Sequence, residues 1–544
     1  MAAIKILYGY IAMKSLMTPS KAQITLNNAF MTNTSANSKR IAKNTLLLYV
    51  RMLFMMAVSL YTSRVVLNAL GVEDFGIYNV VGGVVAMFSM LSGSLSAAIT
   101  RFITYELGTG NKENLKKIFS SSVTIQIGLA ALIILLAEAV GVWFLNVKMN
   151  IPDARIVAAN WVFQFSILTF AVNLISVPYN ASIIAHERMS AFAYISILEA
   201  IGKLVIAFLI VISPMDKLIF YAILMCTVAL IVRFTYGAYC KRHFEECTYH
   251  FIFDKDLLKR MFGFAGWNFI GAASVVLRDQ GGNVVINLFC GPAVNAARGI
   301  AFQVNNAING FVTNFMMALN PQITKSYAAG DCEYMMTLIF QGARLSFYML
   351  LLLSLPVLVN THYILGLWLK IVPDHAVLFV QLVLVFAMSE SISNPLITAM
   401  LATGKIRNYQ LVVGGLQMMN LPISYLLLRM GMFPEVVIVV AISISQCCLA
   451  ARLLMLRKMI GLTVRKYLKK VYINVLIVTV IASIFPYLLA DYMKETFLYF
   501  ILLSLIALVC TGITIYYIGC NKAERQFVRK KYIQLLIKSN ETVT

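Results

Sequence analysis

Two neighbouring stretches of the chain carry amides and charges inside long apolar runs. Across 263–289 these are Asn268, Arg278, Asp279, Asn283 and Asn287, and across 295–319 they are Arg298, Asn305 and Asn309. At about 100° per residue, the first stretch gathers Asn268, Asp279, Asn283 and Asn287 within an arc of about 100°, and the second gathers Arg298, Asn305 and Asn309 on a face about 40° wide. The chemistry open to these residues is binding. A guanidinium fork grips phosphate, carboxamides hydrogen-bond sugar hydroxyls, and a carboxylate holds a proton or a cation. A charge at the centre of a membrane span costs at least ~2.5 kcal/mol and normally faces a bundle interior or a watered cavity. One amide alone reads as glue between helices. Two adjacent stretches with this many amides, and with Arg278, Asp279 and Arg298 besides, read as the wall of a water-lined substrate path.

Further charges fall within apolar runs. Glu199 and Lys203 lie four residues apart with the acid first, the favoured order for an intrahelical pair; such a pair is either self-neutralised or a proton site. Glu390 precedes Asn394-Pro395 and serves either as a protonation or cation site or as a partner to a helix break. Glu199, Asp279 and Glu390 are thus the candidates for a coupling proton or sodium ion. Arg51, Arg64 and Arg344 lie nearer span ends, where long basic side chains reach the headgroups. With Lys203, Arg278 and Arg298 they make six bases against four acids, Glu138, Glu199, Asp279 and Glu390. A cationic interior suits a phosphate-bearing substrate.

Motifs of soluble enzymes fail on inspection. Ala402-Thr403-Gly404-Lys405-Ile406 has the Gly-Lys of a phosphate loop but lacks both the earlier glycine and the following Ser/Thr. His186-Glu187 has no second histidine four residues after His186. The cysteines include no CxxC and no Cys/His cluster with metal spacing. No catalytic residue, metal, cofactor or nucleotide-binding domain is expected.

The elements that position these residues follow from composition. Of 544 residues, 60% are hydrophobic and 12% charged, with a mean hydropathy of +0.81; a soluble chain carries about 25% charged residues. Most apolar runs exceed the ~18 residues needed to cross as helices, which excludes a barrel of alternating ten-residue strands. The reading is an all-α polytopic membrane protein. Spans are expected at about 44–67, 76–100, 119–142, 157–180, 191–212, 217–239, 263–289, 295–319, 336–358, 376–400, 409–428, 434–456, 470–490 and 496–519. The first of the two polar stretches turns into the second at Cys290-Gly291-Pro292, a hinge signal. With the N-terminus inside, inner loops hold roughly 31 Lys plus Arg and outer loops roughly six. The net charge of +22 is therefore positive-inside bias rather than a nucleic-acid footprint, and both termini are expected in the cytoplasm. The run from Ile4 to Met17 is broken by Lys5 and Lys14, so no signal peptide is expected; Met31 is a second candidate start.

An internal repeat is visible. Arg64-Val-Val-Leu-Asn68 answers Asn283-Val-Val-Ile-Asn287, Gly110-Asn111-Lys112-Glu113 answers Gly330-Asp331-Cys332-Glu333, and Pro178 and Ala185 answer Pro395 and Ala402. Six spans intervene, an even number, so the halves share one orientation about an axis along the membrane normal. The expected organisation is a basic tail at 1–43, one lobe at 44–239, a linker at 240–262, a second lobe at 263–456, two added spans at 457–519 and a basic tail at 520–544.

Three segments carry a family resemblance: SRVVLNALGVEDFGIYNVVGG from Ser63, NAARGIAFQVNNAINGFVTNF from Asn295 with NPQITKSYAAGD from Asn320, and AMLATGKIRNYQ from Ala399. Across roughly 38–520 the chain resembles the multidrug/oligosaccharidyl-lipid/polysaccharide (MOP) exporter superfamily, and within it the polysaccharide or O-antigen (Wzx-type) flippases. The resemblance implies two MATE-like six-helix lobes around a central cavity, two further helices, and alternating access. It implies undecaprenyl-pyrophosphate-linked oligosaccharides as substrate, turned across the bacterial inner membrane for O-antigen or capsule synthesis. By position, Arg64, Arg278 and Arg298 would hold the pyrophosphate, with Asn305 and Asn309 on the sugars. Contact with polysaccharide polymerase machinery would follow. A cation-coupled multidrug antiporter and a peptidoglycan-precursor flippase of the same superfamily are the alternatives. A polymerase itself would need a large outer loop, and the longest here, about 359–375, is short.

Overall fold

The computed structural model describes residues 40–529, except 60, 63–64, 67, 72–73, 75–76, 79–80, 82–88, 148–150, 253, 370–371, 491–495, 523 and 527–528. Arg64 and most of both expected tails lie outside the described residues.

Among the described residues the regular structure is helical throughout. In lipid a spanning segment must satisfy its own backbone, which leaves the helix as the form for long apolar runs. The first bundle comprises α1 (Arg40–Ser59), α2 (Ser89–Thr109), α3 (Lys112–Val147), α4 (Asp153–Ala185), α5 (Met189–Ile212) and α6 (Lys217–His243). The second comprises α7 (Lys255–Ala328), α8 (Cys332–Val359), α9 (Thr361–Leu369), α10 (Ala376–Ser391), α11 (Asn394–Thr403), α12 (Arg407–Arg429) and α13 (Val436–Ile460). Two more, α14 (Val464–Ala490) and α15 (Phe497–Gly519), pack on each other and on α8. Ten described helices are long and apolar enough to cross a membrane, or eleven when α10 and α11, bent by 40° at their break, count as one.

The expected spans 263–289 and 295–319 are both helical, but their amides and charges leave them too polar to stand among those ten. They run end to end as α7, interrupted only at Gly291, whose φ of 83° and ψ of 176° are not helical. That region of backbone space is open essentially to glycine, and Pro292 disfavours a helical residue before it. The hinge read from Cys290-Gly291-Pro292 is thus where the chain turns. The expected span 376–400 is likewise broken, between Ser391 and Asn394, ahead of Pro395.

The repeat is legible in the caps. Gly110 and Gly330 both take positive φ, 75° and 77°. Each is followed by a helix-capping residue whose side chain accepts a backbone N–H three residues on, Asn111 from Asn114 and Asp331 from Tyr334, both at 3.0 Å. Side-chain capping satisfies one of the orphan donors at each helix start.

Arg344, expected to reach the headgroups, does something else. It is buried, donating to the Gly519 carbonyl at 3.2 Å and to Glu524 at 2.7 Å. It therefore anchors the end of α15 to α8, and Tyr348 helps by donating to Asn474 of α14.

Candidate functional site

The two bundles meet through α2 and α7, and their contacts are unevenly placed. The turns at 110–111, 186–188, 244–252, 329–331 and 404–406 form one face, the one that carries the basic loops. There, Glu187 lies in the turn between α4 and α5 with its side chain 1% exposed, and Lys325 of α7 reaches it at 2.8 Å. Gln322 also donates to the same carboxylate, and Arg40 approaches it at 2.9 Å. Arg101 of α2 donates to the carbonyls of Ala402 at 2.9 Å and Leu401 at 3.3 Å. Phe102 packs edge-on against Phe264, and the Tyr105 ring lies tilted beside that of Tyr327. Gly108 lies so close to α7 that a Cβ would sit 2.6 Å from Ala328.

Among the described residues, the hydrogen bonds and ring contacts between bundles reach no deeper from this face than Tyr49 on Phe311 and Met349, and Met52 on Asn314. One apolar core runs through both bundles here. Toward the opposite face the first bundle has a core of its own, built on Ile77, Val81, Leu145, Val162, Phe163 and Leu218. Among the described residues, the bundles are joined at the basic face and share no such contact toward the other.

The opposite face of the first bundle is tied internally by Arg155, which donates to both Asp74 and Asp216, the latter at 2.6 Å. Asp216 also caps α6, accepting from Leu218 and Ile219. Burial pushes its carboxyl up, but the Arg155 hydrogen bond and charge, with the backbone donors, outweigh that and hold it below the usual carboxylate range.

Four of the polar residues singled out from the sequence come together on α7. Arg298, 3% exposed, donates to Asn283 and, at 3.2 Å, to the backbone carbonyl of Asp279. Arg278 pairs with Asp279 at 2.9 Å and lies over the Phe386 ring of α10 at 4.9 Å. Gly282 makes the approach possible, since a Cβ there would sit 3.0 Å from the Arg298 guanidinium. The two halves of α7 thus fold back on each other around Gly291, with charge held between them. In this conformation Arg298 is turned into that hairpin. Asn305 is buried with its side-chain oxygen unpartnered, and Asn309 is half-buried further along.

Glu199 and Lys203 form the spaced pair at 2.6 Å, half-buried, with Arg51 in electrostatic contact. Arg51 itself lies 4.4 Å from the Phe192 ring, facing a neighbouring helix rather than headgroups. Glu390 accepts from Ser445 of α13 at 2.7 Å. Glu138 stands apart from all of these, exposed on the apolar flank of α3 beside Gln164.

The sequence reading passed over Arg101, Arg452 and Glu187. Arg452, 1% exposed within α13, lies in the electrostatic field of Tyr409 and Glu390. Its signal was available, an arginine inside the apolar run Ile438–Met455. Glu187 had no such signal, because it sits in a polar turn and its burial depends on helices far away in sequence.

Residues 41–327 match the model of a family described as polysaccharide biosynthesis protein. The chain is 22% identical over 306 residues to the uncharacterised membrane protein EpsK of Bacillus subtilis, a match covering 55% of this chain and 58% of that one. The fold is that of solved MATE and MOP transporters. An outward-facing multidrug resistance MATE transporter of the MOP superfamily superposes with a TM-score of 0.68 at 12% identity, over 78% of this chain and 96% of that one. The bent form of the Vibrio cholerae MATE transporter VcmN gives 0.67 at 16%, over 80% and 99%. A MOP transporter from Pyrococcus furiosus, described by a binding pocket of reversed polarity that suggests a different function, gives 0.64 at 12%, over 77% and 96%.

Proposed function

The chain belongs to the polysaccharide biosynthesis protein family and is a transporter of the MOP superfamily, and from that premise we propose that it flips lipid-linked oligosaccharides. The substrate in this reading is an oligosaccharide on undecaprenyl pyrophosphate. It passes from the cytoplasmic to the periplasmic leaflet of a bacterial inner membrane, for O-antigen or capsule assembly. The basic face is cytoplasmic, by the positive-inside bias.

The observation that carries the reading is the charge balance inside the second bundle. Among the described residues, Arg278, Arg298 and Arg452 stand there against Asp279 and Glu390, while the buried Arg344 and Glu435 are engaged by Glu524 and His375. An interior with this sign attracts an anion and repels a lipophilic cation. Arginine stays charged in a poorly hydrated setting and grips a phosphate bidentately. Arg278 and Arg298 are the proposed pyrophosphate anchors, and Asn305 and Asn309 the sugar contacts. Arg64 completes the set by its place in the repeat.

Alternating access belongs to the same proposal and is supported by the uneven seam: closed at the basic face here, opened when Glu187 and Arg101 release their partners. Glu199, Asp279 and Glu390 are the proposed sites for a coupling proton or sodium ion, because each is an acid within a span. Their neutral amides are expected to insert normally and lose gradient-dependent transport. In cells, a strain lacking the protein is expected to accumulate lipid-linked repeat units facing the cytoplasm. Loss of dye export with normal surface polysaccharide would favour the multidrug reading instead.

A further inference from the structure

A polar concavity lies on the basic face, away from the α7 hairpin. It measures about 540 Å³ and sits across the seam, lined from the first bundle by Arg101, Glu106 and Lys117 and from the second by Asp254, Lys259, Arg260, Trp267, Lys405 and Arg407. Six bases therefore face two acids. The acids are partly engaged already: Asp254 caps α7 by accepting from Asp256 and Leu257. Among the bases, Lys117 pairs with Glu113 along α3, and Arg101 is spent on the carbonyls of Leu401 and Ala402. Lys259, Arg260, Lys405 and Arg407 make no ion pair among the described residues.

Positive-inside bias alone scatters bases over loops. Here they converge on one hollow with an aromatic floor, where Arg407 lies 5.6 Å from the Trp267 ring. The turn that brings Lys405 in is built for the approach: Gly404 takes a φ of 72°, and a Cβ there would meet the Arg101 guanidinium at 2.6 Å. Like charges this close repel unless an anion sits among them, and arginine and lysine on a concave wall are the donors that phosphate oxygens take. The volume is that of an ordinary small-ligand pocket.

We propose that this hollow binds a phosphate-bearing anion that bridges the two bundles at the basic face. The phosphate comes either from a soluble diphosphate or from an anionic lipid headgroup, and the same donors serve both. Bound there, it adds a link across the seam beside the Glu187–Lys325 pair. The inference stands apart from the transport reading, since neither Arg278 nor Arg298 lines the hollow.

The test uses the full chain in nanodiscs of phosphatidylcholine, with Trp267 fluorescence and melting temperature read against added pyrophosphate at constant ionic strength. A parallel set of discs contains phosphatidylglycerol and no pyrophosphate. Saturable binding of pyrophosphate in neutral discs identifies the soluble source, and a matching change only with phosphatidylglycerol identifies the lipid. Two variants divide the pocket by bundle, Lys117→Gln on one side and Lys259→Gln/Arg260→Gln/Lys405→Gln on the other. The triple variant is expected to weaken binding at least tenfold and the single variant severalfold. No response to pyrophosphate above that to chloride at equal ionic strength together with none to phosphatidylglycerol, or unchanged binding in the triple variant, overturns the site. A loss confined to one bundle's bases overturns the bridge.

Discussion

Lys325 Nζ lies 2.8 Å from Glu187 Oε1, joining the far end of α7 in one bundle to the α4–α5 turn of the other. The carboxylate is almost wholly buried, and losing Lys325 leaves it with Arg40 and Gln322. Breaking a buried pair outright costs about 3–5 kcal/mol; with those partners kept, about 1–2 kcal/mol is expected, which shifts a two-state equilibrium roughly five- to thirtyfold.

Lys325→Ala is accordingly expected to open the basic face. Spin labels placed at Lys112 and Glu333, in a background cleared of reactive cysteines, report the distance between bundles. The variant should lengthen it, and the reversal Glu187→Lys/Lys325→Glu should recover part of the closure. Unchanged distances in Lys325→Ala would remove the pair from the gate.

The hinge gives a second prediction. Gly291 has open space where a Cβ would go, so Gly291→Ala is penalised by backbone conformation alone, about 1–3 kcal/mol. Gly299→Ala, in the helix that follows and also unobstructed, should be neutral or stabilising by up to about 1 kcal/mol. Thermal unfolding in detergent separates them. Equal melting temperatures would mean that the turn tolerates an ordinary residue.

Third are the arginines of the hairpin. Arg278→Ala is expected to cripple export of surface polysaccharide at normal protein level, with Arg278→Lys recovering part because charge remains while the fork is lost. Arg298→Ala is expected to cripple export as well, and to lower the amount of folded protein besides, since it leaves Asn283 and the Asp279 carbonyl without their buried donor. Surface polysaccharide measured against membrane abundance distinguishes anchor from brace. Full export by a well-expressed double variant would end the anchor assignment.

At the other face, the Arg155–Asp216 pair makes stability depend on acidity. Asp216 has a native pKa held below its unfolded value, near 3.9 for a free aspartate. Its contribution is therefore complete above that unfolded value and disappears as pH falls through the depressed native one. Asp216→Asn should lower the melting temperature at neutral pH and flatten its decline toward pH 3. Parallel melting curves against pH in the two proteins would show that the pair does not contribute.

How much of this was legible beforehand depends on range. The hinge could be read because Gly291-Pro292 is a local backbone constraint, and the paired caps after Gly110 and Gly330 because they repeat short motifs. The polar faces on α7 could be read because helical periodicity is local too. What Arg298 touches could not, since periodicity fixes a face but not the partner that folds onto it across Gly291. Glu187 and Arg101 were missed for the same reason. Their partners, Lys325 and the carbonyls of Leu401 and Ala402, are distant in sequence, and only the packed bundles bring them near. Arg344 misled because position in a span does not reveal a neighbour such as Glu524, which comes from beyond α15.

The central claim is that a lipid pyrophosphate bearing sugars crosses the membrane through this protein. The most direct measurement reconstitutes the full chain in sealed vesicles with a fluorescent oligosaccharide on undecaprenyl pyrophosphate in both leaflets. A glycosidase added outside then releases whatever label it can reach. The account predicts that the cleaved fraction climbs from about half toward completion with active protein, and stays near half with the Arg278→Ala/Arg298→Ala variant. A cleaved fraction that stays near half with the unaltered protein, while the same vesicles move a cationic dye, would contradict it.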